Sequence, residues 1–235
     1  MKTFNIYVRS YNRYDNVMTS ELVEYCTYVV RASQADLYKA KGVKVLAVED
    51  RFIDSGAKVL NWLIENAEED VIAVLDDDIK RFKYRLDKYD LNLSKEQATR
   101  EIERLGQLIS DLDIGYATIA GHGNLLYYDR PFRFVGVNAG LKIFNRAKVV
   151  GRFDSSIRFL YDDDFQFQEL LTNRIALICE YFLCDSFIDT NGGGNNDDKT
   201  KAEFQYNHDE LKRRWGKYYK KPSKYGGSGS LLVKR

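Results

Sequence analysis

The sequence predicts an α/β fold, an open and mostly parallel sheet flanked by helices. Short apolar runs alternate with amphipathic stretches in the order β-α-β-α-β, which is the pattern of a parallel sheet covered by crossover helices. Polar or acidic residues follow each run directly, at Ser10 to Arg13, at Asp50 and at Asp76 to Asp78. In such sheets ligands bind beyond the carboxyl ends of the strands, so these segments are expected to converge on one crevice.

Phe4 to Val8 reads as a first short strand, and the spacing of Leu22, Val23, Cys26 and Val30 predicts a helix after it. Val43 to Val48 reads as the second strand, ending at Glu49-Asp50. The following helix places Val59, Leu60, Leu63 and Ile64 on one face. Val71 to Leu75, wholly apolar, is a buried third strand. Ser94-Lys95-Glu96-Gln97 is a capping-box signature for a long helix with Ala98, Ile102, Leu105, Ile109 and Leu112 inward. The second half is less regular, with strands expected at Ile114 to Ala120, Leu141 to Phe144 and Ile175 to Ile178, and a helix from Phe165 to Arg174. Gly192-Gly193-Gly194 and Gly226 to Ser230 punctuate the chain as flexible segments.

The chain has 235 residues, of which 44% are hydrophobic, enough for one domain with a full core. No apolar stretch is long enough to span a bilayer and no signal-peptide core opens the chain, so a soluble, cytoplasmic protein without a membrane or an obligate protein partner is expected. Cys26, Cys179 and Cys184 lack the close pairing of a zinc site and are expected as free thiols. The net charge of +1 conceals an asymmetry: residues 211–235 hold nine of the 36 cations and none of the 35 acids. A basic extension, residues 211–235, is thus set against an acidic body, residues 1–210.

Asp76-Asp77-Asp78 is the densest candidate for chemistry. Hard cations such as Mn²⁺ and Mg²⁺ take oxygen ligands, and Mg²⁺ typically uses one or two carboxylates plus substrate phosphates. In an extended segment Asp76 and Asp78 point the same way and Asp77 the other, which makes Asp77 the replaceable member. A solvated acidic turn is the alternative. Asp162-Asp163-Asp164 precedes the expected helix, where one carboxylate can serve as general base or simply cap the helix. Gly192, Gly193 and Gly194 suit a phosphate-binding loop or a lid, against a plain flexible loop. His208, after that loop, is the histidine better placed to complete a metal site, though a lone histidine is commonly structural. Lys212, Arg213, Arg214, Trp215, Lys217, Lys220 and Lys221 interleave cations with aromatics, a composition suited to nucleic acid or to a solvated terminal helix.

These residues resemble a GT-A glycosyltransferase of the family-2 type. There a first strand leads into a polar nucleotide-binding loop, here Val8-Arg9-Ser10-Tyr11-Asn12-Arg13. An acidic residue after the second strand, here Glu49 or Asp50, meets the base, and a DxD motif, here Asp76-Asp77-Asp78, ends a later strand. The resemblance implies that Asp76 and Asp78 bind ribose and the Mn²⁺ or Mg²⁺ bridging the diphosphate of a nucleotide-sugar, with a UDP-sugar expected. Tyr161-Asp162-Asp163-Asp164-Phe165 is similar to the acidic motif that supplies the base in inverting members, with Tyr161 where Glu is common. Over roughly residues 4–220 the chain looks most like the TET-associated glycosyltransferases of bacteriophages, which implies transfer to 5-hydroxymethylcytosine in DNA. Two other classes stand beside that expectation: a GT-A enzyme acting on a glycan, lipid or protein, and a non-catalytic nucleic-acid-binding module.

Overall fold

The computed structural model describes residues 2–86, 89–120, 130–135, 138–187, 200–222 and 229–233, with the side chains of 138 and 139 left aside. Its strands are β1 (Phe4–Arg9), β2 (Thr27–Arg31), β3 (Val45–Val48), β4 (Val71–Asp76), β5 (Ile79–Leu86), β6 (Tyr89–Asn92), β7 (Tyr116–Ala120), β8 (Phe132–Arg133), β9 (Asn138–Asn145), β10 (Leu177–Ser186), β11 (Tyr219–Lys220) and β12 (Ser230–Leu231). The helices are α1 (Ala35–Lys39), α2 (Gly56–Asn66), α3 (Lys95–Asp111), α4 (Tyr161–Thr172) and α5 (Lys201–Trp215). Among the described residues none is long and apolar enough to cross a membrane.

One mixed sheet runs β3-β2-β1-β4-β9-β7-β10-β5-β6, with β8 beside β10. β1 pairs in parallel with β2 and β4, and β9 lies antiparallel between β4 and β7. The chain turns at Asp77-Asp78 and leaves β4 for β5, which pairs with the far half of β10 rather than with β4. The acidic triplet therefore sits where a central strand departs from the sheet.

Burial on both faces explains the apolar runs. Ile6, Val8, Ala73, Leu75, Leu141 and Ile143 pack under Ala98, Ile102, Leu105 and Ile109 of α3. Tyr7, Ile72, Val74 and Phe144 pack under Leu60, Leu63 and Ile64 of α2 and Phe165, Phe167 and Leu170 of α4. α3 begins with the expected capping box, Ser94 and Gln97 exchanging side-chain and backbone contacts. The three cysteines are free, Cys179 and Cys184 buried.

The helix expected across Leu22 to Val30 is instead β2, entered from a short 3-10 turn at Met18–Glu21. Thr27, Tyr28, Val29 and Val30 are all buried, and a strand buried on both faces carries no alternation to distinguish it from a helix by spacing. The β5–β6 hairpin was hidden by its charge. Lys83 ion-pairs with both Asp90 and Asp185, and Arg81 with Asp185, cross-strand pairs visible only once the strands are aligned. α4 starts at Tyr161, four residues before the expected Phe165, and no side chain caps it. Asp162, Asp163 and Asp164 thus occupy its first turn, where the helix dipole favours negative charge.

Glu169 anchors α4. Fully buried, it accepts hydrogen bonds from the backbone of Val150 at 2.7 Å and Gly151 at 2.6 Å, and from Asn173 at 2.8 Å. Glu169→Ala strands the buried Gly151 N–H and frees the part-buried Val150 N–H and the Asn173 amide, and is expected to lower stability by about 2 kcal/mol, read as a reduced midpoint in urea denaturation.

Candidate active site

Side-chain parity places a row of charged groups on the α2/α4 face of the sheet. Arg9 and Asp76 are register partners at the ends of β1 and β4, on the parity of Tyr7 and Val74. Lys142 of β9 lies opposite Val74, on the parity of Phe144. Arg9 Nε donates to Asp76 Oδ1 at 2.6 Å, and its Nη1 donates to Tyr161 Oη at 2.8 Å. Gly56 leaves the space for this, because a Cβ there would lie 2.8 Å from Tyr161 Oη and 3.0 Å from Arg9 Nη1. Lys142 Nζ stands 3.5 Å from Asp162 Oδ2. Burial disfavours the Asp76 carboxylate, yet Arg9 and Lys142 outweigh burial and hold Asp76 below the usual carboxylate range.

Asp77 turns toward the loop after β1. It accepts from Ser10 Oγ at 2.5 Å and Arg13 Nη1 at 2.5 Å, and Tyr38 lies 2.6 Å from Ser10 Oγ. The bend at Asp77-Asp78 breaks strand alternation, and Asp77, expected as the replaceable member, is instead the buried keystone of the loop. Asp78 lies 3.5 Å from the same Arg13 Nη1. Burial, then the charges of Asp76 and Asp77, push its carboxyl up to about 6.

The remainder of the expected loop faces elsewhere. The Arg31 guanidinium lies 4.0 Å above the Tyr11 ring, and Asn12, in the left-handed region at φ 56°, exchanges hydrogen bonds with Gln34. Asp50 accepts from the Ser33 backbone at 3.1 Å and hydroxyl at 2.5 Å, contacts that draw its carboxyl down. Since β2 is a strand and not the expected helix, Asp50 follows the third strand, and the residue ending the second is Arg31. Tyr11, Asn12, Arg31, Gln34, Ser33 and Asp50 form a polar shelf at the ends of β1, β2 and β3.

The second triplet divides three ways. Asp162 faces Lys142. Asp164 accepts from Trp215 Nε1 at 2.9 Å and Gln168 Nε2 at 2.9 Å, with Arg214 at 3.5 Å. Asp163 lies near Tyr219, whose phenol is pushed up by burial and then by the Asp163 charge. Burial and its two acidic neighbours raise the Asp163 carboxyl to about 7.

His208 is buried on α5, its Nδ1 hydrogen-bonded to Tyr219 Oη and its ring edge-on to Phe204. Among the described residues no group of three or more His, Cys, Asp or Glu is arranged to hold a metal by itself. Gly192, Gly193 and Gly194 lie outside the described residues. The basic segment is largely neutralised from just upstream. Arg213 and Arg214 pair with Glu210, Arg214 also with Asp154, and Lys221 with Asp209. Lys212 Nζ donates to the carbonyls of Gly216 and Tyr219, and Trp215 stacks on Phe167. Lys217 and Lys220 are exposed. The boundary expected at residue 210 falls inside α5, whose Leu211 is fully buried.

No family model matches the chain, and no curated protein is similar to it in sequence. Solved structures are similar in fold. Glucosyl-3-phosphoglycerate synthase from Mycobacterium tuberculosis, in complex with Mn²⁺, UDP-glucose and phosphoglyceric acid, superposes with a TM-score of 0.53 at 9% identity, covering 90% of this chain and 79% of that one. The fold is of the GT-A type. The same synthase with Mn²⁺, UDP and glucosyl-3-phosphoglycerate gives 0.53 at 10% identity, over 98% of this chain and 87% of that one. With Mg²⁺ and UDP it gives 0.52 at 11% identity, over 99% and 89%.

Sequence reasoning missed Lys142 and the role of Tyr161, and it placed Arg9 in the loop without its partners Asp76 and Tyr161. The signal for Lys142 was a lone charge inside Leu141-Lys142-Ile143-Phe144, since a lysine in a buried strand requires a partner.

Two measurements follow from this geometry. Asp77→Ala leaves Arg13 facing an empty buried position and is expected to cost about 3 kcal/mol, seen as a lowered denaturation midpoint. For Asp163, the folded chain holds the proton more tightly than the unfolded chain, whose carboxyl titrates near ~3.9. Its contribution to stability is therefore lost as pH rises from about 4 to about 7. Asp163→Asn is expected to melt higher than the unsubstituted protein at pH 8 and about equally at pH 4.

Proposed function

We propose that the protein is a metal-dependent glycosyltransferase that moves a sugar from a nucleotide-sugar, with a UDP-sugar first in line, to a hydroxyl acceptor. The observation that carries this reading is the placement of Asp76, Asp77 and Asp78 at the end of β4, linked through Arg9 and Lys142 to Tyr161 and Asp162 in the first turn of α4, in a GT-A fold. The complexes of the mycobacterial synthase with Mn²⁺ or Mg²⁺ and UDP, noted above, support it.

The carboxylates fit a hard divalent cation. Burial and two like charges raise the Asp78 carboxyl to about 6, a conflict that a dication among oxygen ligands relieves. Asp78, with Asp76, would hold it. When bound, the cation supplies Lewis-acid stabilisation to the charge on the departing diphosphate. Arg13, already at Asp77 and Asp78, stands where a phosphate oxygen can take one of its N–H groups. The shelf of Tyr11, Asn12 and Asp50 is the place for the nucleoside. Asp162 receives the proton of the attacking hydroxyl, because Asp164 is engaged by Trp215 and Gln168 and Asp163 stands toward Tyr219. His208 would join the metal only after exchanging Tyr219 for it.

For the acceptor, the finer reading is 5-hydroxymethylcytosine in DNA, supported by the resemblance to phage DNA glycosyltransferases and by exposed Lys217 and Lys220 at the end of α5. The target base would be flipped from the stack to reach Asp162. A glycan, lipid or protein acceptor is the second reading, favoured by the pairing of Arg213, Arg214 and Lys221 with acids of the same chain.

The test is incubation with a panel of sugar nucleotides, Mn²⁺, and DNA with or without hydroxymethylcytosine, followed by mass measurement of digested nucleosides. A hexose or pentose increment confined to hydroxymethylated DNA is expected, with loss of more than about a hundredfold in Asp78→Asn. No increment on DNA, together with Mn²⁺-dependent hydrolysis of a sugar nucleotide, would move the acceptor to the second reading. A fully active Asp78→Asn protein would sink the metal assignment.

A further inference from the structure

Between the two acidic triplets stands a cation without a role in the steps above. Lys142 lies in the middle of β9, opposite Val74 of β4 and Thr118 of β7, and is 2% exposed. A buried ammonium is unfavourable unless it is both paired and hydrogen-bonded. Among the described residues its ion-pair partner is Asp162 at 3.5 Å, well beyond the roughly 2.8 Å of a charge-assisted hydrogen bond. Its charge also helps hold Asp76 ionised. Three N–H groups thus face one distant carboxylate. Arg9, the neighbouring buried cation, differs, because it donates to Asp76 and Tyr161 at 2.6 and 2.8 Å.

The chemistry of transfer states what must come between Asp78 and Asp162. The diphosphate binds at the Asp78 end. The acceptor oxygen must lie within hydrogen-bond reach of Asp162 and within about 3.5 Å of the anomeric carbon. The transferred sugar therefore bridges the two ends, and Lys142 of β9, on the same sheet face as Arg9 and Asp76 and 3.5 Å from Asp162, stands between them.

We propose that Lys142 is a ligand of the donor sugar, donating hydrogen bonds to its oxygens and so presenting the anomeric carbon to the acceptor beside Asp162. This inference rests on the glycosyltransferase reading and adds a sugar-contacting residue to it. An ammonium only donates, so the matching groups are hydroxyl or carboxylate oxygens on the face of the sugar turned toward β9. The competing account is a structural counter-ion for Asp162 that touches no substrate.

Calorimetric titration with Mn²⁺ separates the two, using UDP and a panel of UDP-glucose, UDP-galactose, UDP-N-acetylglucosamine and UDP-glucuronic acid. For the panel member that binds the unsubstituted protein, Lys142→Met is expected to weaken binding about tenfold or more while UDP binding stays within about twofold. Lys142→Arg, which keeps the charge, is expected to fall between. Equal weakening of UDP and UDP-sugar, or no change in either, overturns the assignment. Absence of binding by every UDP-sugar to the unsubstituted protein counts instead against the glycosyltransferase reading. If Lys142→Met has no cooperative melt, Lys142→Arg carries the same comparison, with selective loss of the sugar nucleotide expected and parallel behaviour overturning it.

Discussion

The concentration of carboxylates at the end of β4 is the constraint around which the cleft is organised. Three consecutive acids follow a strand buried on both faces, and the chain must turn there to reach β5. Charges so close cannot all remain ionised without compensation. Cations arrive from three directions: Arg9 along β1, Arg13 from the loop after it, and Lys142 from β9. Asp78, the least compensated, is the one whose carboxyl is raised to about 6. A divalent ion would act on an imbalance that the fold already contains.

The same cations tie the two ends of the cleft together. Arg9 touches Asp76 on one side and Tyr161 on the other, so the first turn of α4 is registered against β4 through one guanidinium. Lys142 extends the row to Asp162. Tyr161, the departure from the glutamate common in similar motifs, supplies a hydroxyl that accepts from Arg9, and Gly56 gives it room. Away from the cleft, Glu169 fixes the far end of α4 to the chain before it.

The C-terminal basic segment shows how composition can mislead about availability. Counting from residue 211 finds cations and no acids, yet one turn of α5 upstream lie Asp209 and Glu210, which neutralise Lys221, Arg213 and Arg214. Trp215, read as a base-stacking residue, packs on Phe167 and donates to Asp164. Trp215 and Arg214 thus help seat α5 on α4, while Lys217 and Lys220 remain exposed.

By itself the sequence determined the α/β class, the strands Phe4 to Val8 and Val71 to Leu75, the capping box of α3, and the position of Asp76 to Asp78 at the carboxyl end of a central strand. These are legible because apolar runs, helical periodicity and caps act between residues close in the chain. It could not distinguish β2 from a helix, since double burial erases alternation, nor foresee the β5–β6 hairpin, whose charges are matched only across strands. Which acid meets which cation was decided by the tertiary structure alone. Arg9 and Asp76 are 67 residues apart, Arg9 and Tyr161 152, and Lys142 becomes part of a site only because β9 runs between β4 and β7. Electrostatic compensation depends on distance in space, and sequence spacing carries no record of it.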